Sequence, residues 1–468
     1  MKKGLISSYY AGITDTSSGE SYFHIIRYFV PEYITSFIIF ALPGLIDAAF
    51  IAHLKSTPTY AALGVTNNFL HLIFKVAEAF SVAAVVLVGY HNGRAEYKQA
   101  GKVLRDTFWV TVIAGAMVGI TVYVAAYWLY AWLGAPDDII LHGIPYLRIR
   151  AVSFIFMFAS LSFLGFLRGI KNTRTTMYVY LMGALIFVGL DYCLIFGACG
   201  LPAMGLNGSA LASAIQHVVM VFAAGGFIFL DRRYRQYGIE LFSSFKQKGY
   251  VKELLIMVWP VAIDKTMLAI AYLWLNKMIN PMGTCTVATF CAVKDMEHIA
   301  FLPAIACAQV ITFLVSNDYG THQWHRIKSN IKKVLFLSSL MVGSILVIFS
   351  LFTPWVMRFF DKCGDFTPMT VKIFPLLSIF VFFDILQIIL SGALRGSGNV
   401  RVVMWVRLLI ICFYFIPVSY VISGLPISDP AIKFLCIYGS FYIGNALMSV
   451  IYIRRFRNDQ WKHQLNNK

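Results

Sequence analysis

Charged and amide side chains lie inside long apolar stretches of this chain, where a charge near the centre of a bilayer is costly. Each such side chain is therefore a candidate for binding an ion or a substrate. The candidates for ion coupling are Asp47, Asp191 and Asp384. The candidates for lining a cavity or contacting substrate are Glu78, Lys75, Asp264, Lys265, Asn276, Lys294, Asp295, Glu297 and Gln387.

Asp47 and Asp191 form the most informative pair of carboxylates. Each lies a similar number of residues before the outer end of a predicted membrane helix, so we expect them at equal depth. Two nearby carboxylates in a low dielectric repel each other, and one of them then holds a proton readily. With neighbouring hydroxyls, amides and carbonyls, the same oxygens could instead hold a hard monovalent cation. The alternative is that each carboxylate is isolated and hydrogen-bonded to nearby backbone.

Two lysine–glutamate pairs have helical spacing. Lys75 precedes Glu78, and Lys294 precedes Glu297, by one turn of a helix, so the two members of each pair can share a helix face. Each pair could neutralise itself within the core, or its members could bind a ligand, and the sequence does not decide between these alternatives. The neighbours Asp264 and Lys265 must point in different directions, and we expect one of them to face a cavity.

The composition identifies a membrane protein. The chain has 468 residues, of which 59% are hydrophobic and only 13% are charged, whereas soluble domains carry roughly 25% charged residues. Apolar runs of about 20 residues recur along the whole length, which is typical of transmembrane helices. The eight cysteines form no C-x-x-C pair, and the histidines have no metal-ligand spacing. No Ser-His-Asp set can be placed, so we expect no metal site and no enzyme.

The pattern predicts an all-α fold with twelve transmembrane helices in two six-helix lobes. The predicted helices cover roughly 28–53, 60–90, 107–133, 144–167, 176–197, 205–230, 253–276, 284–316, 334–357, 373–394, 402–422 and 432–453. We interpret residues 1–24 as an N-terminal segment, 25–230 as the N-lobe and 231–252 as a linker between the lobes. Residues 253–453 then form the C-lobe and 454–468 a tail.

The distribution of Lys and Arg predicts the orientation. Basic residues concentrate at the termini and in the links after even-numbered helices, and we count Arg407 among them. The other side holds few, namely Lys55, Lys277, Arg358, Lys362, Lys372 and Lys433. This asymmetry follows the positive-inside rule, so we expect both termini in the cytoplasm. It also accounts for the net charge of +17 without nucleic acid. The basic residues could contact anionic lipid headgroups.

Two basic turns indicate an internal duplication. Gly165-Phe-Leu-Arg-Gly-Ile-Lys-Asn-Thr-Arg174 and Gly392-Ala-Leu-Arg-Gly-Ser-Gly-Asn-Val-Arg401 share Gly, Leu-Arg-Gly, Asn and Arg in one register. Each turn closes a long apolar segment. Gly93 precedes the first turn by the same distance as Gly320 precedes the second. The chain is therefore interpreted as two homologous halves in parallel repeat. Aligned on Pro31 and Pro260, the halves place Asn276 opposite Asp47.

The order of these features resembles the multidrug and toxic compound extrusion (MATE) transporters over nearly the whole chain. The resemblance rests on the two six-helix halves, the Leu-Arg-Gly turns after helices 4 and 10, and the glycines ending helices 2 and 8. Gly205-Leu-Asn-Gly-Ser-Ala-Leu-Ala-Ser213 also looks like the segment that opens helix 6 in that family. The resemblance implies a V-shaped, two-lobed molecule that exports compounds by alternating access, driven by sodium or protons.

The resemblance also assigns roles to single residues. Asp47 matches the family's helix 1 aspartate implicated in cation coupling, and Asp191 looks like the helix 5 carboxylate of the DinF-like branch. Asp384-Ile-Leu-Gln387 resembles the Asp-x-x-Gln of the NorM-like branch, whose aspartate is tied to cation binding. This chain therefore mixes two branch patterns. It also departs from the NorM-like pattern, because Leu268 stands where that branch has a glutamate.

We therefore expect an antiporter in the inner membrane, coupled to H⁺ or Na⁺, that exports small organic compounds. It would act without another cofactor, as a monomer in contact with membrane lipid and a small-molecule substrate. Lys75, Lys265 and Lys294 leave a flippase or exporter of an anionic or lipid-linked substrate open on the same fold. A membrane enzyme or a channel is a further alternative, but no nucleophile set supports the first, and the duplication argues against the second.

Overall fold

The structure is a computed structural model that describes residue 13 and residues 19–53, 56–132, 136–242, 249–361 and 364–462. The described residues fold into helices joined by short turns, which confirms the predicted all-α membrane fold. Eleven of these helices are long and apolar enough to cross a membrane. The first helix is not among the eleven, and a break at Ala41 divides it into two segments.

We number the helices α1 to α12 in the order of the prediction. The first, α1, consists of Tyr22–Phe40 and Leu42–His53. The rest of the N-terminal half comprises α2 (Thr57–Gly93), α3 (Tyr97–Trp132), α4 (Asp137–Gly169), α5 (Thr173–Phe196) and α6 (Leu206–Leu230). The C-terminal half comprises α7 (Val251–Ile279), α8 (Thr284–Gly320), α9 (Trp324–Leu351), α10 (Thr367–Gly396), α11 (Val400–Gly424) and α12 (Pro430–Arg457).

Four helices depart clearly from the predicted pattern, and proline accounts for two of the departures. α3 begins at Tyr97, ten residues earlier than predicted. The break in α1 falls at Ala41, two residues before Pro43. Proline has no backbone N–H and therefore cannot donate one of the hydrogen bonds of the helix. A π-helical turn, Ile411–Phe415, interrupts α11 shortly before Pro417, and such turns accommodate a missing hydrogen bond. α9 begins at Trp324, earlier than predicted, and a separate short helix, Thr353–Phe360, follows it.

The chain divides into two compact units, which we describe separately. One unit is Val30–Ala262, and the other combines Met1–Phe29 with Ile263–Lys468. The dividing points fall within α1 and within α7, so each of these helices contributes to both units. In the second unit, the amide of Glu20 donates to the side chain of Asn330, 2.8 Å away.

The repeated Leu-Arg-Gly turns perform the same structural task in both units. In one, the Asn172 amide donates to the Tyr234 hydroxyl (2.5 Å). In the other, the Asn399 amide donates to the Trp461 carbonyl (3.0 Å). Each asparagine therefore fixes the segment that follows the sixth helix of its half. This shared contact gives a physical reason for the repeated asparagine.

The glycines of the repeat let helices approach closely. A Cβ at Gly392 of α10 would lie 2.8 Å from the Ala308 carbonyl oxygen of α8, and one at Gly165 of α4 would lie 2.9 Å from the Ser81 carbonyl oxygen of α2. These distances are too short for a side chain. Each repeat therefore has a glycine where its fourth helix, α4 or α10, crosses a neighbouring helix.

Replacing Gly392 by alanine should destabilise the protein by about 1–3 kcal/mol, because the added methyl group overpacks the contact with α8. The matched control is Gly343→Ala in α9, where an added Cβ meets nothing within 4 Å. Alanine is the better helix former by about 1 kcal/mol, so the control should be neutral or stabilising. Thermal unfolding of both variants in detergent tests this. Equal melting temperatures for the two would contradict the proposed close crossing.

Candidate functional site

The unit that combines Met1–Phe29 with Ile263–Lys468 holds buried or partly buried carboxylates on three different helices. Glu297 lies on α8, Asp384 on α10 and Asp264 on α7. Helix α10 packs against both α8 and α12, and the apolar composition of these helices buries their shared faces. All three carboxylates are among the candidates predicted from the sequence, and the structure places them in one region of this unit.

Glu297 lies among aromatic side chains. Its side chain is only 6% exposed, and the Tyr438 hydroxyl of α12 donates to its Oε2 atom. The Tyr438 ring lies 5.6 Å from that of Phe290 and 5.3 Å from that of Tyr442, measured between centroids. A carboxylate with few polar neighbours is costly when ionised, so this position favours an uncharged or cation-bound state.

Asp384 is partly buried and interacts with the same helix, α12. Its Oδ1 atom accepts a hydrogen bond from the side chain of Asn445, 3.1 Å away. Asn445 follows Tyr438 by seven residues, which is two helical turns, so α12 presents its contacts to Glu297 and to Asp384 on one face. Gln387, one turn after Asp384, is also buried. Glu297 and Asp384 are close enough for electrostatic interaction.

Asp264 is held by two arginines. Its side chain is 1% exposed, and it accepts hydrogen bonds from the guanidinium groups of Arg395 on α10 and Arg407 on α11. Arg395 is the arginine of the second Leu-Arg-Gly turn. Arg407 is also close enough to Asp384 for electrostatic attraction. Asp264 therefore positions both arginines, and one of them, Arg407, also interacts with Asp384. We call Asp264, Glu297, Asp384, Arg395 and Arg407 the charged cluster.

The other predicted residues of this unit lie in varied environments. Asn276 donates to the carbonyl of Tyr272 in its own helix (3.2 Å). Lys265 and Lys294 are partly buried, and Asp295 is exposed although it lies two residues before Glu297. The contacts described for these four residues do not bring them to the Asp384–Asn445 pair, and their predicted role in a cavity stays a prediction.

The other unit contains Asp191, which is fully buried on α5. The second segment of α1 packs against α5 at this depth, since the Phe50 ring lies 6.0 Å from those of Tyr192 and Phe196. Ile46 packs against the apolar residues around Phe187 on the same helix. Asp47 belongs to this segment of α1, but its side chain is outside the described part of the structure. The pairing of Asp47 with Asp191 therefore stays a prediction.

Lys75 and Glu78 form an ion pair on α2. Lys75 Nζ lies 3.4 Å from Glu78 Oε2 and 4.7 Å from the centroid of the Phe40 ring. Glu78 is buried, whereas the Lys75 side chain is 29% exposed. Of the two alternatives stated above, the neutralised pair agrees with this geometry.

Sequence reasoning missed several partners of the candidate residues. Arg407 was placed in a cytoplasmic link, but it is buried and binds Asp264. Glu32 was not selected, but it is fully buried and accepts a hydrogen bond from Arg168, whose Nε lies 3.0 Å away. The signal was available: Arg168 occupies the same repeat position as Arg395, so each arginine should have a carboxylate partner. Within the described residues, no group of His, Cys, Asp or Glu has an arrangement suited to a metal ion.

The fold and these buried ionic groups define a helical membrane protein built from two related halves. The MatE family model matches residues 33–193 and 260–421, which is more than half of the chain. The chain therefore belongs to the MatE family. It is a multi-pass MATE transporter and not an enzyme, as predicted.

The relatives agree with this assignment. One is the "Probable multidrug resistance protein NorM" of Thermotoga maritima, which is 23% identical over 84% of this chain and 86% of that protein. Another is the "Probable multidrug resistance protein YoeA" of Bacillus subtilis, 20% identical over 92% of this chain and 95% of that protein.

The solved structures agree on the fold. An outward-facing multidrug resistance MATE family transporter of the MOP superfamily matches with a TM-score of 0.85. It is 18% identical to this chain, and the match covers 94% of this chain and 96% of that structure. A MOP superfamily transporter from Pyrococcus furiosus, whose binding pocket is described as having reversed polarity, matches with a TM-score of 0.83 and 18% identity. That match covers 94% of this chain and 96% of the other.

Proposed function

We propose that this transporter is an antiporter, coupled to H⁺ or Na⁺, that exports small organic compounds by alternating access. The observation that carries the proposal is the composition of the charged cluster. It contains three carboxylates and two guanidinium groups, all of them within membrane helices. When every group is ionised, the cluster has one negative charge more than it has positive charges.

One monovalent cation would neutralise this excess. A proton on Glu297 or Asp384 would do so, and so would one sodium ion held by their oxygens together with the Asn445 side-chain carbonyl or a tyrosine oxygen. An uncompensated charge in a low dielectric is costly, so the loaded and unloaded clusters differ in free energy. The chemistry of the site supports a stoichiometry of one coupling cation per cycle in this unit.

Coupling requires that the cation bind the two transport states unequally. The charged cluster lies where α7, α8, α10, α11 and α12 contribute side chains, so a change in its charge acts on several helices at once. When a cation neutralises Asp384, the attraction between Asp384 and Arg407 is lost, while Asp264 continues to accept hydrogen bonds from both arginines. In this mechanism, Asp384 and Glu297 bind and release the cation, whereas Asp264 keeps the two arginines in place.

For the substrate, we propose small organic compounds, since the relatives are named multidrug resistance proteins. Lys265 and Lys294, which are partly buried in membrane helices, favour a second candidate, the export of an anionic or lipid-linked compound. We further propose that the protein acts as a monomer in the cytoplasmic membrane with both termini in the cytoplasm, in accordance with its basic links.

Transport by the purified full-length protein in liposomes tests the proposal. A cationic dye and an anionic dye of similar size are each supplied, under a sodium gradient or a pH gradient directed oppositely to export. We expect dye movement that depends on one of the two gradients, and dye-induced release of the same cation when the gradient is reversed. Movement of either dye that is independent of both gradients would contradict cation coupling.

A further inference from the structure

A cavity of about 620 Å³ lies in the unit Val30–Ala262, which does not contain the charged cluster. It is formed where α3 passes the beginning of α7. The groups used below are Arg105 and Asp106 of α3 and Lys252, Leu255, Ile256 and Trp259 of α7. None of these residues belongs to the proposed coupling mechanism.

The cavity lining includes a polar pair, Arg105 and Asp106, which hydrogen bonds hold in place. Arg105 Nε donates to Asp106 Oδ1, 2.8 Å away, and both side chains are buried. The Tyr250 backbone N–H donates to Asp106 Oδ2 at 2.6 Å. A Cβ at Gly249 would lie 2.8 Å from the same oxygen. The carboxylate therefore has its charge balanced by Arg105, and it anchors the residues that lead into α7.

The wall of the cavity is an amphipathic stripe of α7. Lys252, Leu255, Ile256 and Trp259 recur at helical spacing and therefore share one face. Lys252 is exposed, Leu255 is 47% exposed and Trp259 is 43% exposed. The stripe begins with an ammonium group at the end of the helix and continues with apolar side chains toward its centre. Tryptophan and lysine are the residues that anchor helices at the membrane–water interface.

We infer that this cavity binds an anionic phospholipid, with the headgroup phosphate at Lys252 and an acyl chain along Leu255, Ile256 and Trp259. Because Arg105 and Asp106 cancel, Lys252 gives the lining residues a net positive charge, which favours an anionic headgroup. A soluble anion would leave the apolar wall in water, and a neutral apolar molecule would not use the ammonium group. A phospholipid satisfies both parts of the site. The inference goes beyond the proposed function and does not depend on it.

Native mass spectrometry of the full-length protein tests the inference. The protein is mixed with phosphatidylglycerol or with phosphatidylcholine that has the same acyl chains, and the bound fraction is measured. We expect preferential binding of one phosphatidylglycerol. Lys252→Gln should weaken this binding about fivefold, since a lysine near an anionic headgroup contributes that much. Trp259→Ala should weaken the binding of both lipids by similar factors.

The matched control is Lys98→Gln, which removes another exposed lysine from the beginning of α3 without altering the cavity lining. It should bind phosphatidylglycerol like the unmodified protein. Lys252 and Lys98 are both exposed, so their variants should fold, which a thermal unfolding curve verifies. Equal binding of the two lipids, or equal effects of the two lysine variants, would overturn the inference. Displacement of phosphatidylglycerol by glycerol phosphate would instead identify a site for soluble anions.

Discussion

Transporters carrying Glu297→Gln or Asp384→Asn are expected to lose cation-coupled transport by more than about tenfold while keeping their fold. Each substitution is nearly isosteric and removes one negative charge. The Tyr438 hydroxyl can still donate to a glutamine oxygen, and the Asn445 amide can still donate to an asparagine oxygen. The packing should therefore survive. Each substitution removes the excess negative charge, so the cluster is neutral without a bound cation.

The expected magnitude follows from the free energy of cation binding. A tenfold loss of affinity corresponds to about 1.4 kcal/mol, and removing one unit charge a few ångströms away in a partly buried site costs more than that. Both variants should behave as if permanently loaded. Substrate binding can persist, but substrate should no longer release the coupling cation. This separates a coupling defect from a general loss of binding.

The measurement is substrate-induced cation flux in proteoliposomes, with substrate binding measured on the same preparations. Asp365→Asn is the matched control, because it removes an exposed carboxylate outside the membrane helices of the same unit. It should transport normally. Full coupled flux in both Glu297→Gln and Asp384→Asn, together with its loss in Asp191→Asn, would place coupling in the other unit and refute the charge-balance argument.

The fold was largely predictable because long apolar runs and the repeated turns are local properties of the sequence. Apolar runs predicted the helices, and the shared register of Arg168 and Arg395 predicted the duplication. The exceptions have local causes that act through the backbone, such as the break at Ala41 before Pro43. The beginnings of α3 and α9 were predicted too late because their first turns carry basic side chains, and charge alone does not end a helix.

The candidate site was predictable only in part, because partners come from distant helices. Burial cost selected Asp264, Glu297 and Asp384 from the sequence. Burial cost could not show that Arg407 is the partner of Asp264. The two residues are far apart in the sequence, and only the packing of α7 and α11 brings them together. Tyr438 was missed for a similar reason: an aromatic residue in an apolar helix carries no signal of the carboxylate it contacts.

The second large effect concerns stability. Asp264→Asn is expected to destabilise the protein by about 3–5 kcal/mol, because it leaves two buried arginines without their carboxylate. Arg395 is 9% exposed and Arg407 is 4% exposed, so water can solvate neither fully. A loss of this size is comparable with much of the stability of a typical domain. We expect a markedly lower melting temperature in detergent and poor recovery from the membrane.

A double-mutant cycle distinguishes the loss of this ion pair from a general packing defect. Arg407→Gln alone should also destabilise the protein, but Asp264→Asn combined with Arg407→Gln should cost less than the sum of the two, because the groups are in contact. Lys372→Gln is the control for an exposed pair, since its side chain is 61% exposed and 2.8 Å from Asp429. Exposed pairs contribute little, so this variant should melt like the unmodified protein.

Glu32→Gln extends the same test to the first half of the repeat. Glu32 and Arg168 are both buried and 3.0 Å apart, and Arg168 occupies the repeat position of Arg395. If each half relies on its Leu-Arg-Gly arginine for packing, Glu32→Gln should lower the melting temperature as well. Arg168 has one carboxylate partner in this contact, whereas Asp264 serves two arginines, so the loss should be smaller than for Asp264→Asn. An unchanged melting temperature in both variants would contradict a packing role for the repeated arginines and their carboxylates.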